Sequence, residues 1–373
     1  MENALRTAVL FGVGRIPTAG PFFSTMLGLL WPVASADPWP KIQQRVEELI
    51  DERLADDKKE DVKEKLAGIG ELGKQLDLEA KSGAPDKVYV SYITLRDLII
   101  AYMPEFQTPR YRLLLLPYYA QLVNIQLALL GDAVRNADKW GLDAAEVGVA
   151  VTDLRALITD ASAYVEKVLA EERVNLSLRA ARTLRPLPFL SIAFERTMAL
   201  TVTDFAFYWP YLDPTKYPDA TKVPRLEREI FSDPHGSPQT LDHFQLPHND
   251  ARPLSQVTIW SANYLDAVQI AHGDHVSPRM GSQTTGKVAW SGDISPDNPI
   301  VGFEVRSGDV VDALRLKFQD GTYTPWCGGG GGSLHAMEID GHVLSSIHVA
   351  GASQFYSSAD CVVFGFRLKD SYR

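Results

Sequence analysis

Histidines supply the first candidate chemistry in this chain. His272-Gly273-Asp274-His275 sets two imidazoles three residues apart, and His243 and His248 form a second pair. Two imidazoles at the closer spacing, on a helix or turn, can share a metal ion. Neither pair has an acidic partner on a rigid element, and the chain shows no nucleophile elbow and no paired carboxylates. No catalytic residue, metal or cofactor is therefore expected, and the protein reads as something other than an enzyme. Five consecutive glycines at 328–332 could cradle phosphate, but neither a Lys-Ser/Thr step nor a helix follows them. By themselves they imply a turn.

The elements that must position any site begin with an uncharged span. Residues 113–131, between Arg112 and Asp132, carry no charged side chain. As a helix they would be about 29 Å long, roughly the hydrocarbon thickness of a bilayer. Gln121, Asn124, Ala128, Gly131 and Arg135 fall on one small or polar stripe, while Leu122, Ile125, Leu129 and Leu130 cover other faces. Two readings stand together: the centre of a water-soluble bundle, and a span that meets lipid. One helix can do both in turn.

Around this span the pattern is helical. Ile42, Val46, Leu49 and Arg53, then Val62, Leu66, Ile69 and Leu76, keep near-helical spacing on either side of a charged run at 56–61. Val88, Tyr92, Leu95, Ile99 and Tyr102 give a further stripe, which Pro104 is expected to stop. Asp143 with Glu146 makes a capping box of the acidic kind, opening a helix with Val147, Val151, Leu154, Ile158, Ala161, Val165 and Val168 on one face. A last helix is expected over about 190–209, ended by Pro210. The fold class implied for this half is an α-helical bundle of about seven helices around a central apolar one.

At 373 residues the chain exceeds the size at which one core stops growing, so two domains are expected. The net charge of −10 divides evenly: 28 Lys+Arg against 33 Asp+Glu up to Gly236, and 9 against 14 beyond it. Neither half is basic, which argues against nucleic acid as a partner. Glycine is uneven, with 12 of 27 up to residue 236 and 15 in the remaining 137. The texture there turns to short alternating runs with glycine turns, which are strand-like. Residues 257–270 repeat as 303–316 at a constant offset of 46, and a weaker third copy lies within 344–366, where Ile347-His348-Val349 and Val362-Val363-Phe364 could pair. Three copies point to a symmetric all-β unit of three sheets. Cys327 and Cys361 are expected as two separate buried thiols. The start of the chain is a poor secretory signal, so export by the general route is not expected.

Several segments resemble blocks of the helical pore-forming domain of the insecticidal crystal (Cry) delta-endotoxins. They include Gly20-Pro21-Phe22-Phe23-Ser24, Val46-Glu47-Glu48-Leu49-Ile50, Leu116-Pro117-Tyr118-Tyr119-Ala120-Gln121-Leu122-Val123-Asn124, Trp140-Gly141, Phe194-Glu195-Arg196-Thr197-Met198, Tyr211-Leu212-Asp213-Pro214 and Leu226-Glu227-Arg228-Glu229-Ile230. The resemblance spans nearly all of residues 1–236 and implies that the helix at 86–102 and the apolar helix form a hairpin that enters a target-cell membrane. It implies that Ser91, Thr94 and Asp97 face the lumen, with Gln121 and Asn124 as polar positions of the second helix.

Residues 300–313 resemble the sugar-holding strand and loop of jacalin-like lectins, whose β-prism has three Greek-key sheets. Gly308 to Asp312 fits the family's G-x-x-x-D loop. That resemblance implies backbone donors at Asp309 and Val310, a carboxylate acceptor at Asp312, and a neighbouring glycine loop with Gly329 and Gly330. Asp266 stands where Asp312 stands one repeat earlier, with Ala262 in place of Gly308. The expected organisation is a helical pore-forming domain over 1–236, a linker over 237–252 and a β-prism over 253–373. The implied partners are a cell-surface glycan or glycoprotein, a membrane after activation, and further copies in a homo-oligomeric pore. The implied location is soluble in the producer, with action outside it at a target cell. A non-lytic lectin with a helical oligomerisation domain is the alternative.

Overall fold

The computed structural model describes residues 56–183, 187–218, 224, 226–237, 252–351 and 358–369. The stripe from Ile42 to Arg53, the blocks at 20–24 and 46–50, His243, His248 and nearly all of the expected linker lie outside the described residues. The chain divides into two compact units, residues 1–174 with 197–224, and residues 175–196 with 225–373.

In the first unit α1 (Asp56–Ser82) is followed by α2 (Pro85–Phe106), α3 (Arg112–Arg135) and the short α4 (Ala137–Trp140). The long α5 (Ala144–Thr183) starts here and crosses the division between the units. Its start has the expected box: the Asp143 carboxylate accepts from the N–H groups of Ala145 and Glu146 at 2.8 and 2.9 Å, and Glu146 accepts from the Asp143 N–H at 2.8 Å. Such reciprocal caps satisfy donors that the first helical turn leaves open. Helix α2 does not stop at Pro104. It runs to Phe106, whose ring is buried, and the Gln107 N–H closes the end on the Pro104 carbonyl.

The expected helix over 190–209 is interrupted. Helix α6 (Leu187–Met198) passes into a π-helical turn (Ala199–Thr203), resumes as α7 (Asp204–Tyr208) and ends in a 3-10 turn (Trp209–Leu212) that contains Pro210. Proline fits there because it sits at the start of the turn, where no backbone N–H is required. Helix α3 is the centre of this unit, with 20 of its 24 residues buried. It packs against α2, α4, the π turn, α7 and the 3-10 turn. Among the described residues it alone is long and apolar enough to cross a membrane, and here it is a core helix.

The second unit is built on three antiparallel sheets. One has the order β10(Cys327–Gly328)-β9(Val311–Phe318)-β8(Ile300–Ser307)-β11(Ser333–Glu338), a Greek key. A second has β5(His275–Val276)-β4(Leu265–His272)-β3(Gln256–Ser261)-β7(Lys287–Asp293), with β6(Met280–Gly281) also on β4. The repeat is structural to the residue: Val257 faces Ile270 as Phe303 faces Leu316, and a bulge falls before Ser261 and before Ser307. In the third sheet β12(His342–Ala350) pairs with β13(Cys361–Leu368), with Ile347 opposite Phe364 as expected.

The remaining strands of that third sheet come from earlier in the chain. Strands β1(Ile230–Phe231) and β2(His235–Gly236) both pair with β13. Residues 226–236, which composition assigns to the helical side, therefore belong with the sheets, and so do residues 175–196. Two-residue strands carry no periodicity, and their partners lie about 130 residues away, so the boundary at 236 was misplaced. Side chains from two sheets fill the interior, where Phe303 and Phe364 stack at 3.7 Å between centroids.

Candidate functional site

The residues expected on the helical hairpin fall into two environments. Thr94 and Asp97 lie on the exposed face of α2. Thr94 bonds back to the Val90 carbonyl, and Asp97 pairs with Arg96 at 2.9 Å. Ser91 is buried instead, donating to Glu79 on α1. The far end of α2 is tied to the same helix through Lys65 and Glu105 at 2.8 Å.

On α3 the polar stripe is internal. Asn124 donates to the Gln121 side-chain carbonyl at 3.1 Å and accepts from the Trp209 indole at 2.7 Å. Further along the same helix Asp132 is 1% exposed, neither of its carboxylate oxygens has a hydrogen-bond partner, and the Arg135 guanidinium is 4.0 Å away. Burial pushes its carboxyl pKa up to about 8, and a buried carboxyl without a hydrogen-bond partner raises the free energy of the packed state relative to one that hydrates it.

On the short strands β2, β6 and β10 the three sheets present one motif. Gly236, Gly281 and Gly328 all have positive φ (108°, 100° and 120°), and a Cβ on each would come within 2.4 Å of the carbonyl oxygen of Asp360, Asp266 and Asp312 respectively. Backbone bonds from Val311 to Ala359 (3.1 Å) and from Ala359 to Leu265 (2.8 Å) tie the starts of β9, β13 and β4 together. The three aspartates are thus equivalent positions, and burial raises the carboxyl pKa of each.

Their surroundings differ. Asp266 accepts from the Thr285 hydroxyl at 3.0 Å, so one of its oxygens is already engaged inside the protein. Asp312 has no such side-chain donor; only its own backbone N–H counters the burial. Gly308 N–H donates to the Val310 carbonyl at 3.0 Å, which folds the loop tightly, and Asp309 is exposed while Val310 is buried. The glycine loop closes against the same carboxylate: a Cβ at Gly331 would lie 2.3 Å from Oδ1, and one at Gly332 2.5 Å from Oδ2. Gly329 instead abuts the Asn263 carbonyl, and Gly330 has nothing within 4 Å. The glycines that approach the carboxylate are thus Gly331 and Gly332 rather than the expected Gly329 and Gly330, and five identical residues give no internal distinction.

The other chemical candidates are engaged locally. His272 Nδ1 lies 2.9 Å from the Arg252 carbonyl, and Arg252 pairs with Asp274 at 2.6 Å. Cys327 and Cys361 are buried and unpaired with each other.

The family model for the delta endotoxin N-terminal domain matches residues 8–213, more than half of the chain. The chain is 26% identical over 278 residues to pesticidal crystal protein Cry1Gb of Bacillus thuringiensis subsp. wuhanensis, an alignment that takes in 71% of this chain and 23% of that protein. It therefore spans less than a quarter of that relative's length. The fold is similar to the crystal structure of insecticidal delta-endotoxin Cry8Ea1 from Bacillus thuringiensis (TM-score 0.70, 18% identity, 98% of this chain and 73% of that one). It is also similar to the crystal structure of PirB (TM-score 0.78, 15% identity, 100% of this chain and 96% of that one). Both likenesses cover helices and sheets alike, and at these identities they show a shared fold.

Proposed function

The chain belongs to the delta endotoxin family, and from that premise we propose that it is a pore-forming, insecticidal-type toxin acting outside its producer on a target-cell membrane. The observation that carries this reading is α3: a bilayer-length apolar helix kept buried by a shell of other elements, with a buried carboxyl at Asp132 that has no hydrogen-bond partner. Apolar burial in lipid and satisfied backbone bonds would drive the α2–α3 hairpin into the membrane, and several copies would have to associate to give its polar side chains a lumen. Thr94 and Asp97 are already on one open face and would line that lumen. Ser91, Gln121 and Asn124 would first have to leave their partners in the bundle.

The sheet unit is the docking module in this reading. Asp312 would accept hydrogen bonds from two neighbouring hydroxyls of a cell-surface sugar, with Gly308 and the glycine loop leaving the backbone open to approach. What supports Asp312 over Asp266 is that no side chain occupies it. Release of dye from vesicles tests the membrane step, and a glycan array with Asp312→Ala tests the docking step. Sugar binding without leakage under any lipid composition or pH would favour a non-lytic lectin with a helical assembly domain.

A further inference from the structure

The outer face of the β10-β9-β8-β11 sheet carries a feature that the Asp312 loop does not use. Glu304 and Arg306 on β8, and Arg315 and Lys317 on β9, alternate with the buried Phe303, Val305, Leu314 and Leu316, and so point away from the core. Trp326 and Tyr323, from the turn between β9 and β10, lie against this face. The guanidinium carbons of Arg306 and Arg315 are 5.4 and 4.7 Å from the centre of the Trp326 ring, and that of Arg315 is 4.3 Å from the centre of Tyr323. Even so, the two aromatic residues remain 37% and 38% exposed.

The charges on this face are unequally matched. Arg315 is neutralised by Glu304 at 2.6 Å, and Lys317 by Glu338. Arg306 has no carboxylate within ion-pair distance among the described residues. Its position matters, because Arg306 stands two residues before Gly308 and Trp326 two residues before Gly328. The unmatched guanidinium on β8 and the half-open indole just before β10 therefore stand on the segments that lead into the two arms of the Asp312 site. A guanidinium fork binds a carboxylate or sulfate in a way that a neutral hydroxyl cannot imitate, and an indole offers a flat apolar surface to a sugar ring.

We propose that Arg306 and Trp326 form a second subsite, for an anionic sugar residue adjoining the one at Asp312, so that the ligand is an acidic oligosaccharide. This rests on the reading of Asp312 as the sugar acceptor. The test uses the full chain on an array of neutral oligosaccharides paired with counterparts carrying one uronic acid or one sulfate. The anionic member of the best pair is expected to bind about tenfold more tightly at low salt. Arg306→Gln should bring it down to the neutral level and leave neutral binding unchanged, with Arg306→Lys intermediate. Trp326→Ala should weaken both members. Thermal melting of Arg306→Gln at the wild-type temperature excludes misfolding, and a variant that melts lower is replaced by Arg306→Met.

Neutral binding that depends on Asp312 but shows no anionic preference would overturn the second subsite and leave the first. So would an anionic preference that survives Arg306→Gln. Anionic binding that persists in Asp312→Ala, or no binding to any probe, would overturn the sugar reading and this subsite together.

Discussion

The indole N–H of Trp209 donates to the side-chain carbonyl of Asn124 at 2.7 Å, and both residues are buried. The bond fastens the 3-10 turn to the middle of α3, and Asn124 in turn donates to Gln121. The Asn124 amide and the Gln121 side-chain carbonyl are thereby matched from within the protein, while the Gln121 side-chain nitrogen is buried without a partner.

Removing one partner leaves the other desolvated and unpaired. Asn124→Leu should cost about 1–3 kcal/mol in stability, and pairing it with Trp209→Phe should cost less than the sum of the single changes. Urea unfolding of the four proteins of the cycle measures this. Additive costs would show that the bond contributes nothing of its own.

Acid should weaken the sheet unit through its histidines. Burial, with the neighbouring Arg228 guanidinium, lowers His342 to about 3, and burial lowers His348 to about 4. The geometry agrees for His342: Arg228 donates to Nε2 at 3.0 Å, so the ring proton is on Nδ1, facing the Asp340 carbonyl at 2.9 Å. Unfolded histidine titrates near 6.5, and the folded values lie below it, so the stability these neutral rings contribute is complete above about pH 6.5 and is lost as the pH falls towards 4. The slope should approach roughly 1.4 kcal/mol per pH unit for each ring. Urea midpoints between pH 7 and 4.5 read it, and His342→Gln should make the decline shallower. An unchanged slope would remove His342 from the account.

Within the glycine loop, position decides the effect of a methyl group. Gly330→Ala should be neutral, because nothing lies within 4 Å of the added carbon. Gly331→Ala should displace the Asp312 carboxylate and lower sugar binding about tenfold or more, with little change in melting temperature. Equal effects from both substitutions, measured on the same glycan array, would mean that the loop does not shape the site.

Much of this was legible beforehand, for physical reasons that also explain the rest. The uncharged stretch around Leu122 to Leu130 and the Asp143–Glu146 box are local patterns, and both elements formed where spacing put them. The repeat from Val257 to Ile270 and from Phe303 to Leu316 is a packing pattern written twice, and the two hairpins share even their bulge. What could not be read depends on distant partners. Ile230 is a strand residue because Phe366 is opposite, and Ser91 is buried because Glu79 on α1 reaches it. The helix does not stop at Pro104 because the buried Phe106 anchors two further residues. The asymmetry between Asp266 and Asp312 rests on Thr285, which no spacing rule connects to either.

In the proposed pore the α2–α3 hairpin leaves the bundle and surrounds an aqueous path. Single-channel recording in planar bilayers with Thr94→Cys and Asp97→Cys measures it directly, because the native Cys327 and Cys361 are buried. Discrete current steps are expected from the unmodified chain, and a fall in conductance when a water-soluble cationic thiol reagent is added to either cysteine variant but not to the parent. Steps that are indifferent to the reagent in both variants, or no steps across lipids and pH, would contradict the proposed pore.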